Sequence, residues 1–267
     1  MLKDKPKTLI YEVKNNTAHV TLNRPEVHNA FNDTMINEVS TVFDDIEKRS
    51  DIRVVVLTGE GKSFCAGADL NWMKRVKDYS YEENLKESLD LAEMLYKIYA
   101  SSKPTIARVN GTAIGGGTGL VAVCDIAIAA SNAKFSFSEV KLGLIPACIS
   151  PYVVKKCGEG RCREFFLTGK RLTADKACAA GLINQVVPLE EIDKVIEELV
   201  TQLISSGPAA IKKCKELLRR VPEMSLEEAK KYTAEVIAQL RISDEGQEGM
   251  NSFLEKRRPK WSEDSNG

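Results

Sequence analysis

Two short loops built from small residues constrain this chain more than any other feature. Phe64-Cys65-Ala66-Gly67-Ala68-Asp69-Leu70 follows the apolar run Ile52-Arg53-Val54-Val55-Val56-Leu57-Thr58. Asn110-Gly111-Thr112-Ala113-Ile114-Gly115-Gly116-Gly117 follows Pro104-Thr105-Ile106-Ala107-Arg108-Val109. Both runs read as buried strands. A loop of glycine and alanine turns sharply and lets backbone N–H groups come close to a ligand. Two such N–H groups aimed at one point provide what an oxyanion needs. Downstream stands a lone carboxylate, Glu139, which can move protons beside that point. The chemistry this suggests passes through an enolate.

The rest of the pattern supplies a scaffold for these loops. Residues 8–22 alternate as a hairpin, with a turn at Lys14-Asn15-Asn16. Asn32-Asp33 opens a helix whose apolar positions Met35, Ile36, Val39, Val42, Phe43 and Ile46 keep a helical period. With the strand at 52–58 this makes a strand–helix–strand unit of the kind that builds parallel sheets. A second helix over 81–100 carries Leu85, Leu89, Leu91, Leu95 and Ile98. A third is expected to open within the glycine run and continue through Val123. Further strands are expected at 124–129 and 134–137. Beyond residue 160 the pattern is helical except for 182–187, with Gly207-Pro208 and Val221-Pro222 as punctuation. The polar tail after Trp261 is expected to fray.

Charge and cysteine usage exclude several classes. Lys plus Arg number 38 and Asp plus Glu 38, so the formal net charge is zero. Nucleic acid or an anionic membrane as partner would call for a basic excess. The seven cysteines are odd in number and show no zinc-ligand spacing, which reads as reduced packing cysteines of a cytoplasmic protein. The start, Met1-Leu2-Lys3-Asp4-Lys5-Pro6, lacks an apolar signal core, and no run is long enough to span a bilayer. No metal or redox cofactor is expected, since no ligand cluster is present. Thr58-Gly59-Glu60-Gly61-Lys62-Ser63 imitates the end of a phosphate loop. It has Val56 where the motif needs a glycine, so it reads as a surface turn.

Taken in order, Asn23-Arg24-Pro25-Glu26-Val27-His28-Asn29-Ala30, the Phe64–Leu70 loop, Ile114-Gly115-Gly116-Gly117, Cys124-Asp125-Ile126 and Glu139-Val140-Lys141-Leu142-Gly143-Leu144-Ile145-Pro146 resemble the enoyl-CoA hydratase/isomerase (crotonase) superfamily. The likeness continues through Leu167-Thr168-Gly169, Ala180-Gly181-Leu182-Ile183 and Phe253-Leu254-Glu255-Lys256-Arg257-Arg258-Pro259. The resemblance implies an α/β fold: a ββα-spiral core, drawn here as 1–200, and a C-terminal helical region, 201–267, that builds homotrimers or dimers of trimers. It implies an acyl-CoA thioester substrate, with coenzyme A entering as part of that substrate. By motif position it makes the N–H groups of Ala68 and Gly116 the oxyanion donors and Glu139 the acid/base. Ala66, Asp69 and Leu70, flanked by Val27 and His28, would line the CoA channel, and Gly115 and Gly119 would border the acyl group. His19 reads as structural.

Two departures qualify the resemblance. Family hydratases usually carry a second catalytic glutamate twenty positions before the first, where this chain has Gly119. The missing side chain is expected to leave space beside the site. Pro146-Ala147-Cys148-Ile149-Ser150-Pro151-Tyr152 also differs from the glycine-rich stretch of many relatives. With Gly119 it resembles the bacterial methylglutaconyl-CoA and isohexenylglutaconyl-CoA hydratases, whose substrates carry an extra carboxylate. The reading is an enoyl-CoA hydratase, a lyase. Its rivals are a single-glutamate double-bond isomerase and a CoA-thioester-binding member without activity.

Overall fold

A computed structural model of the chain describes residues 5–262. The tail after Trp261 that the sequence expects to fray lies, beyond Ser262, outside the described residues. So do residues 1–4.

The N-terminal third forms as its patterning predicts. β1 (Leu9–Lys14) pairs antiparallel with β2 (Thr17–Leu22). Asn15 and Asn16 take the left-handed turn positions at φ 49° and 58°, a region that asparagine tolerates well. The Asn32 side chain accepts a hydrogen bond from Met35 N at 3.0 Å and so caps α1 (Asp33–Lys48). That helix buries the six apolar residues that mark its period. β3 (Val54–Gly59) then pairs parallel with β2.

From β3 onward the chain repeats one unit: a strand in a large sheet, a short strand in a small sheet, then helix. β3 is followed by β4 (Ser63–Cys65), α2 (Leu70–Val76) and α3 (Tyr81–Ala100). β5 (Thr105–Val109) is followed by β6 (Thr112–Ile114) and α4 (Gly116–Val123). β7 (Ile126–Ala130) is followed by β8 (Lys134–Ser136) and a 3-10 turn, Ser138–Leu142. Next come α5 (Ser150–Cys157), α6 (Glu159–Thr168), β9 (Arg171–Thr173), α7 (Ala174–Ala179) and β10 (Gln185–Val187). The chain closes with α8 (Ile192–Ile204), α9 (Pro208–Arg220), α10 (Leu226–Ile242) and α11 (Asp244–Leu254). The large sheet runs β1-β2-β3-β5-β7-β10 and the small one β4-β6-β8-β9. Thus part of each glycine loop is strand: β4 and β6 lie inside segments that read as loop, and β9 lies where only helix was expected. Three residues are too few to show a two-residue period.

The large sheet is covered on both faces, which explains its continuous apolar strands. Val55 and Leu57 of β3 join the cluster that holds α1, the end of α3, and α4. Val54 and Val56 face the other way and pack, with Ile106 and Ile128, against Ile192 and Ile196 of α8. The apolar stripe of α8 therefore serves the interior of the chain. In α3 only the C-terminal half is buried, through Met94, Leu95 and Ile98, while Leu85 and Leu89 are exposed. The buried Lys215 of α9 pairs with Asp125 at 2.5 Å and donates to Lys103 O, which ties the last helices to the sheet. All seven cysteines are free. No described helix is long and apolar enough to cross a membrane.

Candidate active site

The first glycine loop is held by the segment 24–31, which lies against it as a strap. Ala66 N–H donates to His28 O at 3.0 Å, Phe31 N–H to Gly67 O at 2.8 Å and Asp69 N–H to Phe31 O at 3.0 Å. The last two bonds bracket Ala68 in a parallel bridge with Phe31, so the N–H and C=O of Ala68 itself point away from the strap. Arg24 locks the arrangement. Its guanidinium reaches Asp69 Oδ2 at 2.7 Å and Ala30 O at 2.6 Å. The other Asp69 oxygen caps α2 by accepting from Asn71 N and Trp72 N. Burial alone would push the Asp69 carboxyl up. The Arg24 hydrogen bond, the two cap N–H groups and the Arg24 charge outweigh it and hold the group below the usual carboxylate range.

Asn29 completes the strap from beneath. It is fully buried, sits at φ 56°, and its amide donates to Glu60 O and Ser63 O at 2.8 Å each while its oxygen accepts from Arg24 N. Asn110 does the same for the neighbouring turn, donating to Gly61 O at 2.8 Å. These bonds hold the turn between β3 and β4 that the sequence assigns to the surface; Glu60, Gly61 and Lys62 within it are exposed.

The second loop supplies the facing wall. Gly115 N–H donates to Ser136 O at 2.7 Å, joining this loop to the strand that leads into Glu139. Gly115 adopts φ +53°, and a Cβ placed on it would stand 3.0 Å from Glu139 Oε1. The backbone conformation calls for glycine, and a side chain there would also press on the Glu139 carboxylate. Gly116 is the first residue of α4, whose opening N–H groups have no acceptor within the helix. Among the described residues neither Gly116 N–H nor Ala68 N–H has a hydrogen-bond partner. The two loops meet here: a Cβ on Gly67, the residue before Ala68, would be 3.9 Å from Gly116 N.

Glu139 occupies the 3-10 turn beside Gly115. Its Oε2 is buried without a hydrogen-bond partner among the described residues. Burial raises its pKa from the ordinary 4.5, opposed only by its own backbone N–H. A carboxyl group so placed can take and return protons nearer neutrality than a free one.

The structure thus brings Ala66, Ala68, Gly115, Gly116 and Glu139 together, with half-buried Val27 and exposed His28 alongside. His28 makes a contact across the strap to β4, Nδ1 to Ser63 Oγ at 3.1 Å. Leu70 is 75 % exposed at the start of α2. The Asp69 side chain faces inward to Arg24 and the α2 cap, its N–H is given to Phe31 O and its C=O accepts from Met73 N, so this buried residue holds the loop and presents no free polar group. His19 stands on β2 opposite Glu12. Gly119 is corrected: it leaves no space. A Cβ there would fall 2.1 Å from Ile149 Cγ2, and Ile149 is itself only 3 % exposed. The residue after Cys148 has moved into the volume a side chain at 119 would fill. Of the basic residues near the C-terminus, Arg257 is engaged by Glu248 and Glu255. Phe31 carries no signal in the sequence, and Arg24, Asn29 and Ile149 stand there only within motifs, with no role of their own. Asn23-Arg24-Pro25 was visible as a motif, but nothing local shows that its partner is Asp69.

The model of one protein family, described as enoyl-CoA hydratase/isomerase, matches residues 12–264. The chain belongs to that family. It is 33% identical over 252 residues to a short-chain-enoyl-CoA hydratase of Clostridium acetobutylicum, covering 94% of this chain and 95% of that one. It is 31% identical over 243 residues to a 2,3-dehydroadipyl-CoA hydratase of Escherichia coli, covering 90% and 92%. Among solved structures, an enoyl-CoA hydratase from Shewanella pealeana superposes with a TM-score of 0.94 at 37% identity, covering 96% and 97%. The repeated strand–strand–helix unit is therefore the enoyl-CoA hydratase/isomerase fold.

Proposed function

We propose that the chain is an enoyl-CoA hydratase in which Glu139 is the sole carboxylate acting on protons. The observation that carries this reading is the Glu139 carboxyl, with one oxygen unpartnered, next to Gly115 and one residue from the free N–H of Gly116. In the hydration direction Glu139 takes a proton from water as the oxygen adds to C3 of the enoyl thioester. The charge collects on the thioester oxygen, where Ala68 and Gly116 N–H receive it. The acid form of Glu139 then returns the proton to C2. One oxyanion donor is worth roughly 3–4 kcal/mol in a dry site.

A second reading, migration of a double bond between C3 and C2, is favoured by the filled position at 119. Proton relocation needs only one carboxylate, and position 119, where a second would stand, is closed by the apolar Ile149. A branched or carboxylated glutaconyl-type acyl group has support only from the likeness of Gly119 and Ile149-Ser150-Pro151-Tyr152 to such hydratases. The geometric argument for it, an open notch at Gly119, does not hold. Assembly as a homotrimer or dimer of trimers is part of the same reading. Its support is the apolar exposure of the last helices: Leu226 and Ile242 at the two ends of α10, and Phe253 and Leu254 at the end of α11, stand 76–91% exposed.

The test is a panel of crotonyl-, 3-methylglutaconyl- and 3-enoyl-CoA thioesters, read by mass spectrometry. Gain of water by the 2-enoyl substrates supports the hydratase. An isobaric shift of the 3-enoyl substrate alone supports the isomerase, and binding without either product rejects both. Light scattering that shows only monomer at micromolar concentration would reject the assembly.

A further inference from the structure

Phe31 touches both halves of the proposed anion site through different parts of one residue. Its backbone brackets Ala68: Phe31 N–H donates to Gly67 O and Phe31 O accepts from Asp69 N–H. Its ring abuts Gly116, where a Cβ would meet Cζ at 2.3 Å and Cε1 at 2.7 Å. The ring is held in turn by Trp72 of α2, edge-on at 6.1 Å between centroids, and the residue is 3 % exposed. Trp72 is anchored by its own indole N–H to Glu87 of α3 at 2.8 Å.

We infer that Phe31 is a positioning residue that sets the spacing between the Ala68 and Gly116 N–H groups. The inference rests on the proposed role of those groups as oxyanion donors. The ladder bonds fix Ala68 relative to the Phe31 backbone. The ring, a rigid plate on the same residue, fixes how closely Gly116 approaches. Donors to a developing charge act only when held at hydrogen-bond distance from it, and an error of about 1 Å costs on the order of 10²-fold in rate. The same contact explains why position 116 must be glycine although its φ is ordinary: the room for a side chain is taken by the ring.

The readout is the absorption band of a bound arylenoyl-CoA thioester carrying an electron-donating ring substituent, which moves to longer wavelength as its carbonyl oxygen accepts hydrogen bonds. Phe31→Leu removes the plate, and Phe31→Tyr adds a hydroxyl at Cζ, where Gly116 lies. Both are expected to lose much of the band shift and to lower kcat by about tenfold or more, with KM little changed. Phe43→Leu, in the α1 core, controls for general loosening and is expected to lower the melting temperature with the band shift kept. If Phe31→Leu melts below assay temperature, Phe31→Met carries the same test. Gly116→Ala should be damaging alone and partly rescued by Phe31→Leu in the double variant, since the clashing ring is gone. Folded Phe31 variants with the wild-type band shift and kcat would overturn the inference. So would an equal loss of shift in Phe43→Leu. Absence of any band shift in the wild type would instead overturn the oxyanion assignment itself, so the two failures are distinguishable.

Discussion

Two carboxylates flank the paired N–H groups, and the chain treats them in opposite ways. Asp69, at the end of the first glycine loop, has an arginine, two helix-cap N–H groups and near-complete burial. Its pKa is held down. Glu139, beside the second loop, has an oxygen with no partner, and burial holds its pKa up. The surroundings differ likewise. The strap 24–31 is tied to its loop through Arg24, His28, Asn29 and Phe31, whereas after Glu139 the chain leaves Leu142, Leu144 and Ile145 exposed. A satisfied carboxylate stabilises a fold. An unsatisfied one destabilises it slightly and remains free to exchange protons.

The largest expected difference is in turnover. Glu139→Gln keeps shape and removes the acid/base group, so kcat should fall about 10²–10⁴-fold while CoA-thioester binding persists. Steady-state rates with calorimetric binding check this, and near-wild-type turnover would break the contrast. Asp69→Asn should do the reverse. It leaves the Arg24 guanidinium without its counter-charge at a largely buried site. The expected loss is about 2–4 kcal/mol of stability, seen as a drop of several degrees in melting temperature. Because the folded pKa of Asp69 lies below its unfolded value, its stabilisation is present above the ordinary aspartate range. It is lost as pH falls through the lowered value, so the penalty of Asp69→Asn should shrink in acid.

A third substitution probes the wall between the two regions. Gly119→Ala should cost about 1–3 kcal/mol by overpacking against Ile149, measured by denaturant unfolding. Ile149→Ala in the same chain should recover part of it, because the clashing Cγ2 is removed. For the same reason Gly119→Glu should lose activity alike toward crotonyl and glutaconyl-type thioesters. A selective loss of the glutaconyl type would show that acyl groups do reach position 119. The smallest effect concerns Glu139 and stability. Its folded pKa lies above its unfolded value, so the neutral form is favoured on folding and the ionised form opposes it. Glu139→Gln should therefore melt slightly higher at neutral pH, and the gain should vanish as pH falls below about 4.5, where both states are protonated.

The frame that carries this contrast can be read from the chain before any coordinates, but the contrast itself cannot, since the motif sets Asp69 in the CoA channel. The six buried positions of α1, the hairpin and the parallel unit β2–α1–β3 follow from periodicity, because each element is long enough to repeat its period. The glycine loops and Glu139 stand out by their order along the chain and their place in the family motifs, since a glycine run alone also makes a plain strand-to-helix turn. What local pattern cannot give is pairing across distance. Arg24 and Asp69 lie forty-five positions apart, and Phe31 meets Gly116 only after α1, one whole strand–strand–helix unit and the two strands of the next. Gly119 shows the same limit from the other side. A missing side chain says nothing about which neighbour has filled its place, and here Ile149 has.

The most direct test of the central claim needs neither hydration nor isomerisation. Butyryl-CoA held in D2O can exchange its C2 protons only if a base removes them and the thioester oxygen is stabilised, and mass spectrometry follows the deuterium gained. The wild-type protein is expected to catalyse this exchange, Asp69→Asn to retain it at temperatures where it is folded, and Glu139→Gln to slow it by about 100-fold or more. Exchange by folded Glu139→Gln at the wild-type rate would contradict the assignment of Glu139 as the proton carrier.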